Sequence, residues 1–171
     1  MRGVFCTDYK MTPGGFTLIE VLVAMLVLSI GLLGLAGLHA AGMRNNHSAY
    51  LRSQASLLAY DLADRMRANL PSVATGSYDN PASPAVDANC KGTGCSVTAM
   101  ASHDVAEWRA DLAVRLPAGE GVVCIDSTPA DGADAAAPEC DAAGTQYTIK
   151  IWWDERRDGS PLQQFVTSFQ P

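Results

Sequence analysis

Between Phe16 and Leu70 the chain has no proline, and between Val21 and Leu38 it has no ionisable side chain. The first absence removes the residue that most strongly breaks a helix. The second removes the polar stripe that a helix needs to lie on a water-facing surface. Equally missing are the patterns of common catalytic sites: no HExxH, no GxSxG, no phosphate-cradling glycine loop and no cysteines two residues apart. Histidine is scarce, and His39, His47 and His103 are scattered. His39 and His47 stand eight residues apart on one helix and share a face approximately, so a metal pair is conceivable, but solvated helix positions fit them better. A basic run is absent too, and the formal net charge is −6, which makes nucleic acid a poor candidate partner. The sequence therefore gives no support for catalysis.

At 171 residues the chain has room for one domain with its own core plus an extension. The extension is the apolar run from Phe16 to Leu38, long enough to span a bilayer as a helix. A secretory signal peptide is cut after its apolar stretch. Here the small-residue pair Gly14-Gly15 comes first, so a cut there would remove a polar leader and keep the helix. The leader carries Arg2 and Lys10 against Asp8 and is mildly basic, as a cytoplasmic segment should be. Met1 and Met11 are both available as starts, and starting at Met11 would lose Lys10.

Glu20 is the one charge in the run. An unpaired carboxylate in hydrocarbon costs about 2.5–3.5 kcal/mol at a helix centre on insertion scales. One resolution is a place in the first helical turn, near unsatisfied N–H groups. The other is a partner: a cut after Gly15 would free a cationic amine on Phe16, and a neighbouring chain's amine could meet Glu20. Both can hold in turn. Gly31, Gly34 and Gly37 mark either a soft, close-packing region or ordinary tolerance of glycine in a membrane helix.

After Leu38 polar residues enter, and Leu51, Ala55, Leu58, Leu62 and Met66 recur at helical spacing. This stripe predicts burial against a head, with Arg44, Asn45, Arg52, Gln54, Asp61, Asp64 and Arg67 on the opposite face and an Asp61–Arg65 ion pair. The expected stop is Asn69-Leu70-Pro71. A Ser-, Thr-, Gly- and Pro-rich loop then runs to about Ala101, and a second helix is expected from Asp104 to Leu116, capped by Ser102 with His103 in its first turn. Residues 121–125 read as a strand. Tyr147 to Trp153 alternates, with Tyr147, Ile149, Ile151 and Trp153 on one face, which leaves Trp152 either at an interface or under loops. Asp154 to Asp158 reads as a solvated charged turn, and Leu162 to Phe169 as the last strand of a small antiparallel meander of three or four strands.

Cys6 lies in the leader and leaves Cys90, Cys95, Cys124 and Cys140. Beyond a membrane segment, four cysteines favour two disulfides. Three pairings are possible. The local one, Cys90 with Cys95 and Cys124 with Cys140, is expected because each pair brackets a loop rich in Gly, Ala, Asp or Pro.

The stretch GGFTLIEVLVA, residues 14–24, resembles the class III signal of type IV prepilins and type II secretion pseudopilins. The blocks SIGLLGLAGLHAAGMRNN, LLAYDLADRMRANL and IWWDERRDG resemble the PilV family of minor pilins. The resemblance covers most of the long helix and the late hairpin but not the loops at 71–101 and 126–145. It implies an α+β, type IV pilin-like fold, with a leader at 1–15, a membrane and assembly half at 16–38, an amphipathic half at 39–70 and a disulfide-bonded head at 71–171. It also implies that a prepilin peptidase cuts between Gly15 and Phe16 and N-methylates Phe16, and that Glu20 promotes docking onto a growing filament. The implied partners are other minor pilins, the major pilin, an inner-membrane assembly platform and a tip adhesin, with no cofactor or metal. Major pilins usually carry a proline in the second half of the apolar segment, and its absence here points to a minor subunit. Two alternatives stay open: an I-type minor pseudopilin of type II secretion, and a single-pass periplasmic sensor or redox domain.

Overall fold

A computed structural model describes residues 14–159 and 161–171. The expected leader residues Arg2, Cys6, Asp8 and Lys10 and the second start, Met11, lie outside the described residues. The chain divides into two units, Met1–Asn45 and Asn46–Pro171. Helix α1, Leu18–Ala68, runs through the division. It is the one described helix long and apolar enough to cross a membrane.

In the first unit every described side chain is exposed, and Phe16 and Leu18 are more than four-fifths so. In the second unit α1 changes character. Leu51, Ala55, Leu58, Leu62 and Met66 are buried, while Arg52, Asp61, Asp64 and Arg67 face solvent. Asp61 and Arg65 pair at 3.0 Å.

The second unit continues with α2 (Leu70–Ala74), a 3-10 turn (Ala88–Lys91), α3 (Val97–Arg115) and strands β1 (Glu120–Ile125), β2 (Tyr147–Trp153) and β3 (Gln163–Phe169). The strands form an antiparallel sheet in the order β1-β2-β3, with Ile149 opposite Val123 on one side and Thr167 on the other. Period-two alternation sorts the side chains by face. Val123, Tyr147, Ile149, Ile151 and Trp153 join the α1 stripe and Val105, Trp108 and Leu112 of α3 in the main core. Val122, Cys124 and Trp152 form a second, smaller cluster with Ala135, Cys140 and Leu162. The head thus has helices on one sheet face and the 126–145 loop on the other. Gly121 belongs to the close side: a Cβ there would stand 2.6 Å from Leu112 Cδ1 and 3.1 Å from the Lys150 carbonyl oxygen.

Several boundaries correct the sequence reading. α1 starts at Leu18 rather than Phe16 because Thr17 caps it: its Oγ1 accepts the Glu20 N–H at 3.3 Å, and its carbonyl accepts the same N–H at 3.1 Å. α1 stops before Asn69, and Pro71 opens α2 instead of starting a loop, since the first turn needs no N–H from it. The second major helix begins at Val97, not Asp104. Ser96 is its cap, accepting the Ala99 N–H at 3.1 Å, and the helix-forming Ala99-Met100-Ala101 segment belongs to it. Ser102 caps nothing; its Oγ accepts the Ala85 N–H at 2.9 Å. His103 is therefore well inside the helix and buried, with Nδ1 accepting the Asp87 N–H at 3.0 Å. Trp152 is buried under the loop.

Candidate functional site

Two regions concentrate polar chemistry. The first is the start of α1. Gly14 to Thr17 are non-helical, and Thr17 and Glu20 stand at the cap and third helical positions with T-x-x-E spacing, the Thr17 side chain accepting the Glu20 N–H. That spacing is the local sequence signal for a helix starting at Leu18. Glu20 sits in the first turn and makes no ion pair among the described residues. It opens onto a shallow groove that it shares with Phe16, Val21, Ala24, Met25 and Leu28. A carboxylate on an apolar groove wants a cation that arrives with its own apolar surface. Gly31, Gly34 and Gly37 leave open space where a Cβ would stand.

The second region is in the head. Cys90 is joined to Cys95, with Cα atoms 4.8 Å apart, and Cys124 to Cys140 at 6.3 Å. The longer loop folds around Lys150, whose side chain is fully buried. Lys150 Nζ lies 2.6 Å from Asp126 Oδ2 and 2.6 Å from Asp131 Oδ1, and it donates to the Pro138 carbonyl at 2.7 Å. Gly132 makes this wrap feasible: its φ is +88°, and a Cβ there would meet the Pro138 carbonyl oxygen at 2.6 Å. Burial pushes the Lys150 ammonium pKa down, but the two carboxylates outweigh it and hold the pKa above its ordinary value. The Cys124 and Cys140 sulfurs and an Asp126 oxygen lie within 4.8 Å of one another. The sulfurs are spent in a disulfide and the carboxylate in an ion pair, so the group is not a metal centre.

The same loop carries an acid-sensitive clasp. The Ser127 hydroxyl, then the Ala143 and Ser127 backbone N–H groups, hold the Asp141 carboxyl at about 2. Asp131 is lowered as well, first by Lys150 and then by Thr128. A depressed carboxyl stabilises the fold above its unfolded value, near 3.9, and that contribution is lost as pH falls through the folded value. We expect amide protection factors in residues 126–145, taken relative to the intrinsic rate at each pH, to fall between about pH 4 and about pH 2, ahead of those in β2. Equal protection of loop and strand across that window would contradict the clasp.

A further charged cluster ties α1 to α3. Arg65 Nη1 is 3.1 Å from Glu107 and 3.5 Å from Asp104, and Lys91 also pairs with Glu107. Lys91 first, then Arg65, lowers the Glu107 pKa. The buried Tyr78 hydroxyl donates to Asp104 at 2.7 Å and accepts from Asn69 at 3.3 Å. Burial, followed by the bond to Asp104, pushes its pKa up. The chemistry here is mechanical, anchoring the Cys90–Cys95 loop. The charged turn after β2 is likewise only partly solvent-facing. Asp154 is buried, with Oδ1 accepting the Arg157 N–H at 2.8 Å and Oδ2 the Gly159 N–H at 3.0 Å. His39 and His47 are both exposed.

With this geometry in place, the family comparisons give two adjacent matches. The Prokaryotic N-terminal methylation motif matches residues 11–36, and the family described as Type IV pilin Tt1218 matches residues 37–106. No curated protein and no solved structure matches the chain. A stretch similar to the N-terminal methylation motif thus runs directly into one similar to a type IV pilin family, on a type IV pilin-like α+β fold.

Proposed function

We propose that this chain is a non-enzymatic minor pilin of a type IV pilus, of the V type, that helps prime assembly in the inner membrane and is incorporated at or near the pilus tip. The observation that carries the reading is one helix whose first part bears a methylation motif and whose second part enters a pilin region. A prepilin peptidase would cut between Gly15 and Phe16 and methylate Phe16, leaving the apolar helix as a single-pass anchor with the head on the periplasmic side. Other minor pilins, the major pilin and the inner-membrane platform are the partners such a subunit needs, and a tip adhesin is a further one.

Glu20 supplies the assembly step. Its carboxylate has no partner ion among the described residues and lies on an apolar groove. A neighbour's new N-terminal amine, carried on an apolar helix, answers both features. Glu20→Ala is expected to leave cleavage intact, with methyl-Phe16 as the N-terminus by intact mass, and to lower incorporation into sheared pili at least tenfold at native expression. Normal incorporation of the variant would remove this role for the carboxylate.

A further inference from the structure

The head contains a cationic groove that the pilin reading does not use. It holds about 540 Å³ and is lined by His47, Tyr50, Val114, Arg115, Asp154 and Arg157, among others. Its position is built rather than incidental. Arg115 closes α3, and the Asp154 N–H donates to the Pro117 carbonyl at 2.8 Å, which locks the turn after β2 against the end of that helix. Arg157 is thereby held on the same groove as Arg115.

The charges there are not spent on each other. Arg65, Arg67, Lys91 and Lys150 are paired with carboxylates, and Arg109 donates to the Gly121 carbonyl. Arg44, Arg52, Arg115, Arg156 and Arg157 make no ion pair among the described residues, and all but Arg44 belong to the head unit. Asp154 is the one carboxylate lining the groove, and both its oxygens are turned into the β2–β3 turn by backbone N–H groups. Arg156 lines an adjacent groove with Ser48 and Glu155. Arg115, Arg156 and Arg157 thus stand together on one part of the head.

That part is the one that α1 enters. His47 and Tyr50 follow Met43, the end of the uncharged apolar stretch apart from His39, by four and seven residues. Tyr50 and Val114 remain more than half exposed at the groove. An aromatic ring and arginines directly after an apolar span are what a headgroup layer favours. We propose that the groove binds the phosphate of an anionic glycerophospholipid headgroup, with Arg115 and Arg157 as the phosphate ligands, His47 as a further donor, and Tyr50 and Val114 against the glycerol carbons. The proposal rests on the membrane-anchored reading of the apolar run.

The test uses the full chain in phosphatidylcholine nanodiscs, with or without phosphatidylglycerol, after confirming that the chain resists carbonate extraction from membranes. Native mass spectrometry of lipid adducts should show preference for phosphatidylglycerol. Arg115→Gln and Arg157→Gln should each weaken that preference about fivefold, while Arg67→Gln, which removes a cation paired elsewhere, should not. Exchange at residues 113–118 and 154–159 should slow only in the phosphatidylglycerol discs. Equal binding of both lipids, or indifference to the two arginine variants, would overturn the headgroup site and leave the membrane anchor standing. Protection by inorganic phosphate without lipid preference would also overturn it, as a free-anion site. Loss of the chain on carbonate extraction would remove the anchor and the headgroup site together.

Discussion

Lys150→Met is expected to destabilise the head by about 3–5 kcal/mol, read as a fall in the urea midpoint of tryptophan fluorescence. The probe is specific, because all three tryptophans, Trp108, Trp152 and Trp153, are buried in the head. The cost does not come mainly from losing an attraction. Asp126 has a fully buried side chain, and Lys150 at 2.6 Å is its counter-ion; without it a carboxylate is left in a dry site. The Pro138 carbonyl and the Asp131 carboxylate lose their shared donor as well. Lys150→Met combined with Asp126→Asn should recover much of the loss, since removing both charges is far less costly than removing one. If Lys150→Met shifted stability by under about 1 kcal/mol, the buried pair would not be holding the loop. The pH dependence has a definite sign. The Lys150 pKa is raised in the folded state, so its contribution is fully present below about 10.4 and disappears as pH rises through the folded value.

Trp108→Ala is the other large effect, expected at about 3–5 kcal/mol. The ring is fully buried where α1, α3 and the sheet meet, and its Nε1 donates to the Leu58 carbonyl at 3.0 Å. Gly121 is kept without a side chain on this same contact, since a Cβ there would lie 2.5 Å from Trp108 Cη2. Backbone and ring therefore fit each other, and truncation leaves a void that neither neighbour can fill by itself. Trp108→Phe keeps part of the volume and loses the hydrogen bond, so it should fall between wild type and alanine. A Phe variant as unstable as Ala would mean that the hydrogen bond, not the packing, carries the site.

What could be read in advance follows the range of each interaction. The α1 stripe and the alternation of β2 are local periodicities, and Leu51 to Met66 and Tyr147 to Trp153 are buried on the faces that periodicity assigns. The N-terminal motif is contiguous and reads directly. The start of α3 was hidden because Ser96 and Thr98 look like loop residues until the cap at Ser96 is seen to face an alanine-rich turn. Lys150 was not legible for a different reason. A period of two says which face a residue takes but not whether that face is covered, and here a loop closed by Cys124 and Cys140 covers it. The cationic groove was least legible of all. His47, Arg115 and Arg157 come from α1, the end of α3 and the β2–β3 turn, and no window along the sequence contains them together. Asp154 was misread as surface because only the fold shows its oxygens bound to the N–H groups of its own turn.

Neither disulfide involves α1, which contains no cysteine. A tensile load applied along α1 reaches the sheet through the main chain that continues at Asn69 and, among the described residues, through non-covalent contacts: the buried stripe from Leu51 to Met66, the Trp108–Leu58 hydrogen bond, and the Arg65 ion pairs to Asp104 and Glu107. The covalent staples instead reinforce the loops on the far side of that joint. Under force, the head's yield line is therefore the seam between α1 and the remainder, and oxidation state should change its toughness far less than a single cavity in that seam.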